Sequence, residues 1–114
     1  MVLGGCAFGY QARGTLSDVP GELRGKGYPG NTTGGGQFSL EDRRGHLRCD
    51  GTLAPPDATM TPGQCQGESG RGEMRCSDGR VFALRWRALS CRSLEGDGED
   101  SNGVRVSFRI ERPR

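Results

Sequence analysis

The stretch GVRVSFRIE, residues 103–111, alternates apolar and polar side chains and decides the fold class of this chain. Because successive side chains of a β-strand point to opposite faces, this period of two predicts a strand with one buried face. The buried face would consist of Val104, Val106, Phe108 and Ile110. The opposite face would consist of Arg105, Ser107, Arg109 and Glu111.

A second segment, RVFALRWRAL at residues 80–89, repeats this alternation. Its apolar face would carry Phe82, Leu84, Trp86 and Ala88, which favours Trp86 as a core anchor. Weaker strands are expected at residues 12–16, 37–40, 45–49 and 72–76. No segment shows the apolar spacing of an amphipathic helix, and none is long enough to span a bilayer. The sequence therefore predicts an all-β fold, a small antiparallel β-sandwich or barrel of about five to seven strands with Gly-rich loops.

The connection Ser77-Asp78-Gly79 predicts the register of one hairpin. A two-residue loop would mix polar and apolar side chains on each face. A three-residue loop with a left-handed Gly79 keeps the faces consistent. It pairs Cys76 with Arg80, Met74 with Phe82 and Gly72 with Leu84.

The chain has five cysteines in 114 residues, which is typical of a small domain exported to an oxidising compartment. No C-x-x-C pair occurs, so we expect neither a structural metal, a haem nor another cofactor. The hairpin register, continued, brings Cys65 opposite Cys91 and leaves Cys49 with Cys76. We expect these two disulfides, although a bulge at a glycine between residues 67 and 72 would favour another connectivity.

Glycine and proline punctuate residues 7–36, where apolar residues are sparse. We interpret this segment as a Gly-rich tether and loops. The β domain is then expected at residues 37–114.

The sequence LGGC at residues 3–6 is similar to a bacterial lipobox, in which small residues precede a cysteine that is lipidated. The resemblance implies a diacylglyceryl group on Cys6, with residues 1–6 as the remnant of a lipoprotein signal region. It also implies anchoring in the bacterial cell envelope, and Ala7 is typical of release to the outer membrane, facing the periplasm. The rest of a signal peptide would lie upstream of this sequence. The other interpretation of Cys6 is an unpaired thiol near the terminus.

Two segments resemble catalytic or metal-binding motifs but have simpler interpretations. Residues 65–70, CQGESG, look like the nucleophile motif of trypsin-like serine proteases, but Glu68 stands where that motif has Asp. His46 is the only histidine and precedes Ser69 by far too few residues for that family, so we expect no enzyme. The acidic residues 95–103 lack EF-hand spacing and are interpreted as a solvated connection rather than a calcium loop.

The outward positions of the predicted strands carry several arginines that could form one basic face. They are Arg48, Arg75, Arg85, Arg87, Arg105 and Arg109. Such a face would bind an anionic envelope component or another envelope protein. The alternative is a solvated face on which Glu73 and Glu111 pair with the arginines across strands.

The sequence thus favours an exported, lipid-anchored binding module of unknown ligand that meets the membrane through Cys6. The net charge of +2 is too small to suggest nucleic acid as a partner. A periplasmic enzyme inhibitor is the alternative, comparable in kind to small disulfide-bearing β-barrel lysozyme inhibitors. The sequence signature of those inhibitors is not found at matching positions of this chain. A small hydrolase is the third hypothesis.

Overall fold

The computed structural model describes residues 9–28, 36–57 and 67–112, which form a closed barrel of eight antiparallel strands. The strands are β1 (Tyr10–Leu16), β2 (Val19–Tyr28), β3 (Gln37–Glu41), β4 (Arg48–Leu53), β5 (Ser69–Cys76), β6 (Val81–Ser90), β7 (Ser93–Glu99) and β8 (Arg105–Glu111). Each strand pairs with the next one along the chain, and β1 pairs with β8 to close the barrel. The all-β prediction is confirmed, and the barrel is the architecture that forms. The predicted number of strands was too low.

The β5–β6 hairpin has the register that the sequence predicts. It pairs Gly72 with Leu84, Met74 with Phe82 and Arg75 with Val81. The Cys76 amide donates to the Arg80 carbonyl at 3.0 Å, and Gly79 adopts a φ of 93°. The bulged three-residue loop is therefore confirmed.

Apolar side chains from all eight strands fill the interior of the barrel. The buried apolar residues are Ala12, Leu16, Leu23, Phe38, Leu40, Cys49, Leu53, Met74, Cys76, Phe82, Leu84, Trp86, Leu94, Val106, Phe108 and Ile110. The rings of Phe38 and Phe108 stack across the interior with their centroids 4.5 Å apart. Trp86 is a core residue as predicted, and its indole N–H donates to the Ala54 carbonyl at 3.1 Å.

The short strand expected at residues 12–16 is confirmed as part of β1, but the prediction of a Gly-rich tether and loops for the rest of residues 7–36 is wrong for β2, which belongs to the barrel wall. The acidic residues 95–103 are likewise not one connection, because β7 occupies most of them. In all three strands glycines stand at inward positions, where an apolar pattern would otherwise be visible. A Cβ on Gly96 would collide with the Phe108 ring, and one on Gly25 with the Ser39 carbonyl. Large rings and close strand contacts therefore require glycine at positions that sequence patterning interprets as loop.

One complete disulfide is described, Cys49–Cys76, where the sequence predicted two. It joins directly opposed residues of β4 and β5, so this pairing is confirmed. Cys91 is itself disulfide-bonded. Its expected partner Cys65 lies outside the described residues, so the Cys65–Cys91 pairing stays a prediction.

The two ends of the barrel differ in their connections. The turn end carries the tight β1–β2, β3–β4, β5–β6 and β7–β8 turns. The loop end carries the starts of β1, β3 and β5, the ends of β2, β4 and β8, and the β6–β7 turn. Within the described ranges, no helix is long and apolar enough to cross a membrane.

Candidate anion-binding surface

The six arginines predicted to form a basic face all point outward, but they do not form a continuous basic surface. They lie on β4, β5, β6 and β8, at exposed positions. The strand β7 separates those on β6 from those on β8, and its outward residues are Glu95, Asp97 and Glu99. The barrel therefore inserts an acidic strand into the predicted basic face.

Carboxylates pair with the two arginines of β6. Arg87 lies 3.1 Å from Glu95 and 3.9 Å from Asp97. Arg85 lies 3.2 Å from Asp57, which comes shortly after β4 in the chain. Both guanidinium groups are about half exposed, so these contacts are solvent-screened but neutralise the local charge.

The remaining arginines of the predicted face also have acidic neighbours. Arg75 lies 3.3 Å from Glu73, and Arg48 lies 3.2 Å from Asp50. Arg105 stands opposite Glu99 across the β7–β8 pair. We call the outward charged residues of β4–β7, together with Asp57, the mixed wall. It comprises Arg48, Asp50, Asp57, Arg71, Glu73, Arg75, Arg85, Arg87, Glu95, Asp97 and Glu99.

A different set of cations lies side by side on β8, β1 and β2. Arg13 of β1 stands directly opposite Arg24 of β2 on one side and Arg109 of β8 on the other. Lys26 is the next outward residue after Arg24 on β2. We call Arg109, Arg13, Arg24 and Lys26 the basic stripe. Only Arg109 was predicted as a site residue. Arg24 and Lys26 were missed because β2 was not recognised as a strand, and Arg13 was not included although a strand was expected at residues 12–16.

Four carboxylates border the basic stripe. Glu41 of β3 stands directly opposite Arg24, and Glu95 of β7 stands directly opposite Arg109. Glu111 is shared between Arg13 and Arg109, at 3.4 Å and 3.5 Å. Glu22 lies 3.0 Å from Arg24, whose side chain remains 80% exposed. Like charges directly opposite one another destabilise a sheet, so this arrangement has a cost in folding free energy.

A further arginine, Arg80, closes the turn end of the barrel. Its guanidinium contacts Asp18 at 2.8 Å and Asp78 at 2.9 Å, and its Cζ lies 5.6 Å from the centre of the Phe82 ring. Burial alone would lower the pKa of Arg80, but the hydrogen bond to Asp18 and the charges of Asp78 and Asp18 raise it. Arg80 therefore links the β1–β2 and β5–β6 turns and has its charge already compensated.

The residues of the protease-like motif are not brought together. His46 lies in the β3–β4 turn, where its amide donates to Asp42 Oδ1 at 2.8 Å. Ser69 begins β5 at the other end of the barrel, opposite Arg87. His46 and Ser69 cannot act on one substrate in this arrangement, because the length of the barrel separates them.

The acidic segment after β7 forms the β7–β8 turn. Asp100 Oδ1 accepts hydrogen bonds from the amides of Asn102 and Val104, at 2.9 Å and 2.8 Å. The carboxylate thus closes the turn on its own backbone. In the part of the chain that the structure describes, no group of three His, Cys, Asp or Glu side chains is arranged to hold a metal ion.

The predicted lipidation residue Cys6 lies outside the described residues. The barrel nevertheless begins close to Cys6 in sequence, because the first residue of β1 is Tyr10. No family model, curated protein or solved structure matches this chain.

Proposed function

We propose that this chain is an exported, non-enzymatic binding module of the bacterial cell envelope, anchored by a lipid on Cys6 in the outer membrane and facing the periplasm. The filled barrel is the observation that carries the binding role. Phe82, Met74 and Ile110 are fully buried in its interior. Because the module's own side chains occupy this space, its partner binds on the outer surface or at the loop end.

The anchor is supported by the similarity of residues 3–6 to a lipobox and by the cysteine count. Because the number of cysteines is five, at least one of them stays outside the intramolecular disulfides. A lipid on Cys6 leaves four cysteines for disulfides, of which Cys49 and Cys76 already form one pair.

Labelling of the full-length precursor in a bacterial host tests the anchor. We expect the wild-type protein to incorporate labelled palmitate and to fractionate with membranes. The Cys6→Ser variant should do neither, while Cys49→Ser should still incorporate label. Membrane fractionation that persists in Cys6→Ser would contradict a lipid on this residue.

A periplasmic enzyme inhibitor is the second candidate, and one observation favours it. Ser69 is the first residue of β5, at the loop end of the barrel. Arg87 stands directly opposite it on β6. A serine beside an arginine at the loop end would fit the active-site cleft of a hydrolase.

A lysozyme turbidity assay tests the inhibitor hypothesis. The full chain would slow lysis, and Ser69→Ala together with Arg87→Ala would remove this effect. Arg75→Ala is the matched control, because Arg75 lies on the same wall but nearer the turn end. No slowing of lysis by the wild-type chain would reject inhibition of this enzyme.

A further inference from the structure

The folded barrel begins much closer in sequence to the proposed anchor than the predicted tether of residues 7–36 would allow. Tyr10, the first residue of β1, lies only four residues after Cys6. A fully extended chain of that length reaches at most about 14 Å. If Cys6 carries the lipid, β1 and its neighbours β2 and β8 are therefore held close to the headgroups.

These three strands carry the basic stripe. Arg13 is the second outward residue of β1, and Arg24 and Arg109 flank it on the neighbouring strands. Adjacent strands lie about 4.8 Å apart, so the guanidinium groups form a closely spaced row. Their side chains are 46–80% exposed, which leaves them accessible to a partner.

More cations lie at the loop end beside the stripe. The Arg112 amide donates to the Arg92 carbonyl at 3.2 Å, which brings these two exposed residues together where β8 ends. Together with the stripe they make six cations, bordered by the four carboxylates of Glu22, Glu41, Glu95 and Glu111. The region near the proposed anchor therefore carries a net positive charge.

An aromatic pair marks the same end of the barrel. Tyr10 begins β1 and Tyr28 ends β2, and their rings meet edge to face with centroids 6.4 Å apart. Tyrosine is enriched at membrane interfaces, where its ring is apolar and its hydroxyl remains hydrated.

We propose that the outward face of β8, β1 and β2 is a membrane-docking surface for anionic phospholipids. The basic stripe binds headgroup phosphates, for which guanidinium is well suited because it donates two parallel hydrogen bonds. Tyr28, which ends β2 beside this face, lies at the interface, whereas Tyr10 packs against the barrel core and contacts the Tyr28 ring. The orientation rests on the proposed anchor at Cys6, whereas recognition of phosphate by the stripe does not.

Vesicle sedimentation of the full chain carrying Cys6→Ser tests the surface without the anchor. The probes are vesicles of equal parts phosphatidylglycerol and phosphatidylcholine, and vesicles of phosphatidylcholine alone. We expect binding to the anionic vesicles only, weakened by added salt. Replacing Arg13, Arg24 and Lys26 by Ser should lower this affinity at least about ten-fold.

The matched control replaces Arg75, Arg85 and Arg87 by Ser, which removes the same charge from the mixed wall. It should change the affinity less than about two-fold, because carboxylates outnumber arginines on the mixed wall and that surface does not attract anionic lipid. Circular dichroism confirms that both variants fold. Equal losses in both variants, or no binding to the anionic vesicles, would overturn the proposal. Stripe-dependent binding to soluble dextran sulfate without vesicle binding would also reject the lipid assignment.

The two tests fail separately. If wild-type protein is not lipidated but the stripe still binds anionic vesicles, the anchor is wrong and the surface stands. If Cys6 is lipidated and the stripe variant binds vesicles like the control, the docking surface is wrong and the anchor stands.

Discussion

The mixed wall and the basic stripe are both rich in outward arginines, yet their charges are arranged in opposite ways. On the mixed wall, Arg87 lies against Glu95 of the neighbouring strand. On the stripe, Arg13 lies between two other arginines. The difference shows that the charge of a barrel face depends on which residues become cross-strand neighbours, rather than on the number of arginines along one strand.

Barrel closure determines those neighbours. Arg13 and Glu111 are 98 positions apart in sequence and meet only because β1 pairs with β8. Glu95 separates Arg87 from Arg109 only because β7 is a strand. The contrast between the two walls therefore depends on the closed barrel.

The largest expected effect concerns the buried disulfide that joins β4 to β5 beneath the mixed wall. The disulfide Cys49–Cys76 closes a loop of 27 residues and should stabilise the barrel by about 3.5 kcal/mol in the chain-entropy model. Urea unfolding of the double variant Cys49→Ala, Cys76→Ala should show a loss of this size. A loss below about 1 kcal/mol would mean that packing alone holds β4 against β5.

The second-largest expected effect on stability concerns the pairing of β1 with β8, which places Arg13 beside Arg109 in the basic stripe. A Cβ on Gly14 of β1 would lie 2.5 Å from the Ser107 carbonyl oxygen of β8. Gly14→Val should therefore lower the free energy of unfolding by about 2 kcal/mol. The control is Gly45→Asn, because a Cβ there meets nothing within 4 Å and asparagine tolerates positive φ. Equal stability of the two variants would argue against a tight β1–β8 seam.

The smallest expected effect is a change in stability whose sign differs between the basic stripe and the mixed wall. Arg13→Thr removes a cation from between two others, so its stability should stay equal or rise by up to about 0.5 kcal/mol. Arg87→Thr removes the partner of Glu95 and should cost about 0.5 kcal/mol. Both side chains are about half exposed on strands, so the strand propensity of threonine contributes equally to the stability of the two variants. Thermal melts at low and high salt test this; a difference that does not shrink with salt would not be electrostatic.

The sequence predicts the fold well where large apolar side chains alternate with polar ones. The β5–β6 register follows from the three-residue loop that keeps Met74 and Phe82 on one face, and the inward face of β8 follows from Val106, Phe108 and Ile110. The disulfide between Cys49 and Cys76 follows from that register only by elimination, as the pair left once Cys65 is opposed to Cys91. Pattern analysis fails at β2 and β7, whose inward residues include Gly25 and Gly96, because a glycine that makes room for a ring has no hydrophobic signal of its own.

The candidate surface was less predictable than the fold. Outward arginines are visible in the alternation, so their exposure could be predicted. Their neighbours could not, because Arg24 lies on a strand without an apolar pattern and meets Arg13 only in the folded barrel.

The docking surface is tested most directly by arginine footprinting on the wild-type chain with phenylglyoxal, with and without phosphatidylglycerol vesicles. Mass spectrometry then compares both walls within one molecule. We predict that vesicles protect Arg13 and Arg24 while Arg85 and Arg87 react as they do in free protein. Protection of Arg85 and Arg87, with Arg13 and Arg24 still reactive, would contradict docking through the basic stripe.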